Sequence, residues 1–109
     1  MTNSDKIRAI IRKREAMSDE WPAGLEECWN ELVDALTEDI DTTRRYLLDE
    51  CTADEASWVS EVYDEIVYKT QSREYINLLR QSIKRFPEES AKLHMAENLD
   101  IAVRSMLIE

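Results

Sequence analysis

The chain has 109 residues and a formal net charge of −10, from 24 acidic and 14 basic side chains. This length accommodates one domain, and a hydrophobic fraction of 43% is normal for a globular protein, so the charge does not indicate disorder. One glycine and two prolines are too few for the tight turns of a many-stranded protein. We therefore predict a single all-α domain over residues 1–109, a compact bundle of five to seven short helices.

The first half of the chain predicts three helices. Asn3 or Ser4 can cap a first helix that runs to about residue 17. Residues 18–24 contain the only glycine and interrupt the helical periodicity, so they are predicted to form a loop. A second helix covers about residues 25–38, and a short third helix begins at residue 41 or 42. The stripe that the first helix turns inward consists of Ile7, Ile10, Ile11 and Arg14.

The second half of the chain begins with a capping box, in which Thr52 is the cap and Glu55 lies three residues later. The fourth helix that follows is predicted to run to about residue 69. Ser72 can cap a fifth helix, and Pro87 is typical of the first turn of another. Asn98 is a candidate interruption of the C-terminal helical stretch. The inward stripe of the fourth helix consists of Val59, Val62, Tyr63, Ile66 and Val67.

The negative charge is concentrated in one part of the chain. Residues 1–18 carry a net charge of +3, residues 19–68 of −14, and residues 69–109 of +1. Such a concentration destabilises the folded state through self-repulsion, which favours a functional explanation. The alternative is a solvated surface that keeps the chain soluble. Direct binding of nucleic acid or of an anionic membrane is unfavourable for so acidic a surface.

Two helix faces carry this charge and are the predicted partner-binding surface. On the second helix the acids lie opposite the apolar stripe, and on the fourth helix they lie opposite Val59, Val62 and Ile66. For that reason we expect charge reversal at residues 61, 64 and 65 to leave the helix folded. The candidate binding residues are Glu27, Glu31, Asp34, Glu38, Asp54, Glu61, Asp64, Glu65 and Tyr68.

The sequence lacks the residues of common catalytic and metal sites. One glycine cannot form a phosphate-binding loop, and no Glu-x-x-His pair or calcium-binding loop is present. His94 is predicted to be structural or solvent-facing, and Cys28 and Cys51 to be buried free thiols. We predict a non-enzyme with no cofactor, metal or small-molecule substrate, and only catalysis by paired acids stays open.

The aromatic residues fall into two groups. Trp29, Trp58 and Tyr63 have helical spacing and are predicted to be core residues. The remaining aromatic residues beside acids are each predicted to be structural, but together with the acidic faces they are candidates for a binding surface, since aromatic rings dominate interface hot spots. These residues are Trp21, Tyr46 and Tyr68.

Four segments between residues 50 and 89 resemble one class of bacterial protein. They are residues 50–55 (ECTADE), 58–66 (WVSEVYDEI), 69–72 (KTQS) and 86–89 (FPEE). This sequence is similar to the small acidic helical immunity proteins of polymorphic toxin systems, including contact-dependent growth inhibition systems. The resemblance implies a small, cytosolic, non-catalytic protein whose acidic surface occupies the basic cleft of a nuclease toxin.

The leading hypothesis is therefore an immunity protein that binds and neutralises a cognate bacterial toxin, a basic nuclease domain. Its acids would pair with lysine or arginine in the toxin, and Tyr68 would supply a desolvated anchor. The alternative is a non-catalytic helical adaptor or regulatory subunit, whose basic first helix binds one partner and whose acidic middle binds another. No signal peptide or membrane span is visible, so we expect a cytoplasmic location.

Overall fold

Helices make up most of the described chain, which confirms the predicted all-α fold. The structure is a computed structural model that describes residues 3–17 and 22–108. These residues contain no strand, and none of their helices combines the length and apolar character needed to cross a membrane. A π-helical turn, Tyr46–Glu50, lies between the third and fourth α-helices. The α-helices are α1 (Asn3–Glu15), α2 (Pro22–Thr37), α3 (Ile40–Arg45), α4 (Ala53–Ser60), α5 (Tyr63–Thr70), α6 (Arg73–Lys84), α7 (Pro87–Leu93) and α8 (Met95–Met106).

The described residues form eight α-helices, more than the predicted five to seven, because two helical stretches are divided. The predicted fourth helix is divided into α4 and α5 at Glu61 and Val62, whose N–H groups bond to carbonyls three residues earlier. The C-terminal stretch is divided at His94, which has a left-handed backbone with φ of 55°. Asn98 lies inside α8 and does not interrupt it. Neither break contains glycine or proline, so local sequence signals did not reveal them.

The predicted helix starts of the second half are confirmed. The Thr52 hydroxyl accepts a hydrogen bond from the Glu55 N–H at 3.1 Å, and the Glu55 carboxylate accepts one from the Thr52 N–H at 3.0 Å. The Ser72 hydroxyl accepts a hydrogen bond from the backbone of α6, and Pro87 lies in the first turn of α7. The capping side chains accept hydrogen bonds from backbone N–H groups that have no partner within the helix, and Pro87 has no N–H group that would need one.

The helix starts of the first half differ from the prediction. The first helix begins at Asn3, so Ser4 lies inside it and is not its cap. The second begins at Pro22, three residues early, because proline is tolerated in a first turn. Residues 18–21 of the predicted loop lie outside the described residues. The cap of α3 is Asp39, whose carboxylate accepts hydrogen bonds from the Asp41 N–H and the Thr42 hydroxyl.

One hydrophobic core joins helices that are distant in sequence. The first helix packs on α2, while α5 packs most extensively on α8 and also contacts α2 and α6. The predicted inward stripes are confirmed, and they include Arg14, which is only 8% exposed. This packing places α5, which carries several candidate binding residues, beside the C-terminal helix.

Two arginines bind the π-helical turn from outside it. Arg8 donates to the Glu50 carbonyl at 2.8 Å, and Arg85 donates to another carbonyl of the turn. The Arg8 guanidinium also pairs with Glu55 at 3.1 Å and lies over the Tyr46 ring, 5.7 Å from its centre. Tyr46 is completely buried, which confirms the structural role predicted for it and excludes it from a binding surface.

Candidate partner-binding surface

The acidic face of α2 is largely neutralised within the chain. The four candidate acids lie on α2 or, for Glu38, one residue beyond its end, and three of them accept hydrogen bonds from lysines of α1 and α5. The fourth, Glu27, is exposed and has no ion-pair partner among the described residues. Exposed pairs of this kind contribute about 0–1 kcal/mol, but they offset the charge of the face. The pairs are Glu31 with Lys13 (2.9 Å), Asp34 with Lys69 (2.7 Å) and Glu38 with Lys6 (3.4 Å).

Glu61 belongs to a partly buried cluster between α1, α2 and α4. Its two carboxylate oxygens accept hydrogen bonds from Arg14 at 3.0 and 3.1 Å, and one oxygen also accepts from the Trp29 indole N–H at 3.1 Å. The Arg14 guanidinium lies 4.9 Å from the centre of the Trp58 ring. The side chains of Arg14 and Glu61 are 9% and 29% exposed. This bidentate, partly desolvated pair holds the helices together and already occupies the carboxylate proposed for partner binding.

Asp54 faces an acid of its own chain. It lies in the first turn of α4, and the proximity of its carboxyl group to that of Glu15 raises the pKa of Glu15. Like charges this close favour retention of a proton. Asp54 therefore lies in a different local environment from the candidate acids of α5.

The remaining acids form a patch without compensating cations. We define the acidic patch as Glu26, Asp64 and Glu65, none of which has an ion-pair partner among the described residues. Partial burial raises the pKa of Glu65, and the negative charges of Asp64 and Glu26 raise it further. Beside the patch, Tyr68 is 64% exposed and, with Asp64, Glu65 and Met106, lines a surface hollow of about 280 Å³.

A second hollow, of about 350 Å³, lies next to the first, between α5 and α8. Both hollows are lined by Asp64 and Met106, so they are adjacent on the surface. We call the two hollows together the α5–α8 groove. Its most exposed apolar side chains are Tyr68 and Ile101, which is 52% exposed, and Ala102 contributes to its floor.

Gln71 fixes the end of α8 against α5. It ends α5 with a left-handed backbone, φ 47°, and its side-chain amide donates to the Met106 carbonyl at 2.7 Å. The same side chain accepts a hydrogen bond from the Ile108 N–H, also at 2.7 Å. These two bonds hold Met106, which both hollows share, in a defined position.

Outside this surface, the described residues offer little evidence for a nucleophilic or metal-binding site. Cys28 and Cys51 are free and at most 2% exposed, and burial raises the pKa of the Cys51 thiol to about 11. Such a thiol is almost fully protonated at neutral pH and is a poor nucleophile. His94 is exposed, with Nδ1 3.4 Å from a Glu97 oxygen. No group of three or more metal-ligating side chains occurs in the described part of the chain.

The structure thus brings Asp64, Glu65 and Tyr68 together, and of the other candidate binding residues only Glu61, which is paired with Arg14, lines the same groove among the described residues. Sequence reasoning missed Glu26 and Ile101. Ile101 could have been recognised from the sequence because it is an apolar residue outside the stripe of Leu99, Val103 and Met106 on the C-terminal helix. Trp21, also a candidate, lies outside the described residues. No protein-family model matches the chain, and comparisons with curated proteins and with solved structures gave no match.

Proposed function

We propose that this chain is a cytoplasmic, non-catalytic immunity protein that binds and neutralises a cognate bacterial toxin, a basic nuclease domain. The observation that supports this proposal is the acidic patch beside the exposed ring of Tyr68. Its three carboxylates lie on α2 and α5 without compensating cations in the described chain. An exposed aromatic ring beside uncompensated charge is the composition of an interface hot spot for a partner of opposite charge.

The inhibitory mechanism follows from what a nuclease cleft must do. Such a cleft presents lysine and arginine to phosphate oxygens, so the carboxylates of Asp64 and Glu65 can occupy the same positions. The toxin would then cover the neighbouring ring of Tyr68 and remove it from water. Attraction between the opposite charges also raises the association rate towards about 10⁸ M⁻¹s⁻¹, so an incoming toxin is bound before it cleaves.

The adaptor alternative requires the basic face of α1 to be available for a second partner. That face consists of Arg8, Arg12 and Lys13, of which Arg8 and Lys13 bind acids of this chain while Arg12 is exposed. Lys6 and the inward-facing Arg14 of the same helix are paired as well, so an adaptor that used Arg8 and Lys13 would have to break their pairs. This internal use of α1 favours the immunity proposal. The four pairs are Lys6 with Glu38, Arg8 with Glu55, Lys13 with Glu31 and Arg14 with Glu61.

The proposal is tested by co-expression with the C-terminal toxin domain encoded by the gene immediately upstream. We expect the chain to protect cells from that domain and not from unrelated toxins, and to co-purify with it. Protection by the wild-type chain should be lost in the double variant Asp64→Lys/Glu65→Lys, because attractive contacts become repulsive.

The matched control is Glu88→Lys/Glu89→Lys. Both pairs are adjacent acids in the first turn of a helix, α5 or α7, so the loss of favourable helix-dipole interactions is similar. The control variant should protect like the wild type. Absence of protection by soluble wild-type chain would contradict the immunity proposal and favour the adaptor.

A further inference from the structure

The α5–α8 groove is lined by exposed apolar side chains. Ile101 is 52% and Tyr68 64% exposed, and both line the groove together with Met106. Scattered apolar residues on a surface need no explanation, but these three line two adjacent hollows that share Met106. The concave shape of the groove gives an incoming side chain contacts on several sides, as hot-spot pockets do.

Acids without compensating cations lie along the same groove. Asp64 lines both hollows and Glu65 lines one of them, while Glu26 adds its charge nearby. Glu61 also lines the second hollow, but it is paired with Arg14. Elsewhere on α8, by contrast, the acid Asp100 is paired with Arg80 at 2.7 Å. An occupant that brings positive charge would relieve the repulsion among the acids, whereas a neutral occupant would desolvate them without compensation.

We propose that the α5–α8 groove binds an apolar side chain carried on a basic segment of a protein partner. The apolar anchor lies against Ile101 and Met106, and lysine or arginine residues beside it pair with Asp64 and Glu65. This inference rests on the proposed function, because it takes the partner to be a basic protein. It adds to that function the kind of segment that the groove binds.

A second copy of this chain does not fit the groove in a symmetric dimer. In a two-fold interface both copies use the same surface, so the acidic patches of both copies would be buried in one interface. Each copy also carries a net charge of −10, which opposes association. Charge complementarity therefore selects a basic partner.

The test uses the full chain and short synthetic peptides, and needs no toxin. The first peptide has one leucine flanked by lysines, the second has glutamine in place of the leucine, and the third has glutamates in place of the lysines. Binding is followed by NMR through the methyl signals of Ile101 and Met106. We expect the leucine–lysine peptide to bind about tenfold more tightly than the glutamine peptide, as for loss of one hot-spot side chain. The glutamate peptide should not bind.

Two isoleucine variants separate the groove from general surface hydrophobicity. Ile101→Gln should remove the advantage of the leucine peptide, while Ile108→Gln should preserve it. Both residues are exposed isoleucines at the C-terminal end of the chain, 52% and 80% exposed, but only Ile101 lines the groove. Thermal melting of both variants verifies that each is folded.

Three results would overturn the inference: equal binding of the leucine and glutamine peptides, no methyl shifts with any peptide, or concentration-dependent self-association through the groove. The outcome is separable from that of the immunity proposal. If the chain protects cells but shows no leucine-dependent peptide binding, only the groove proposal is rejected. If it shows leucine-dependent binding but does not protect cells, only the immunity proposal is rejected.

Discussion

Charge reversal at two neighbouring acids should have different consequences for stability. Sequence periodicity places Glu61 and Asp64 together, opposite the apolar stripe, and predicts that both can be reversed harmlessly. In the structure Glu61 binds Arg14 and Trp29, while Asp64 is exposed beside the groove. We therefore expect Glu61→Lys to destabilise the fold and Asp64→Lys to leave it nearly unchanged, although each changes the charge equally.

The expected loss of stability in Glu61→Lys follows from how exposed the ion pair between Arg14 and Glu61 is. Removing one partner of a fully buried pair costs about 3–5 kcal/mol, whereas an exposed pair contributes about 0–1 kcal/mol. The side chains of Arg14 and Glu61 are 9% and 29% exposed, between these limits, so we expect a loss of about 2 kcal/mol. Lysine adds repulsion to that loss. For Asp64→Lys the change should stay within about 0.5 kcal/mol.

The assay is thermal and urea unfolding followed by far-UV circular dichroism. A loss of about 2 kcal/mol lowers the Tm of a domain of this size by roughly 10 °C. Equal melting temperatures for Glu61→Lys and Asp64→Lys would refute the reasoning, because they would mean that the Arg14 pair contributes nothing. The contrast also explains why the binding variant above reverses residues 64 and 65 but leaves residue 61 intact.

Three further predictions concern the backbone, the pH dependence and the thiols. His94→Gly should preserve or raise stability, since glycine accepts the left-handed conformation without strain, while Gln71→Gly should lower the Tm because it loses both bonds to the end of α8. The pKa of Glu65 is raised in the folded chain, so ionisation of its carboxyl group lowers the free energy of unfolding as pH rises through that pKa. Glu65→Gln should therefore raise the Tm at pH 7 and reduce this decrease of Tm with pH. Cys28 and Cys51 should resist alkylation at neutral pH until the chain unfolds, and reducing agent should not change the Tm; rapid labelling of the folded chain would contradict their burial.

The sequence alone determined the helical class, the inward stripes and several helix starts. These features depend on interactions between residues at most four apart, such as the capping box at Thr52 and Glu55. Local signals also placed Asp64, Glu65 and Tyr68 among the candidate binding residues. They did not place the breaks at Val62 and His94, where no glycine or proline marks the end of a helix.

Only the tertiary structure decided which acids remain without cations. Lys69 lies 35 residues from Asp34 and Arg14 lies 47 residues from Glu61, and no periodicity can pair residues so distant. The groove likewise exists only because α5 packs on α8, which brings Asp64 beside Met106. Charge compensation and concave surfaces depend on which helices become neighbours in space, and that is set by the packing of the whole core rather than by any local stretch of the chain.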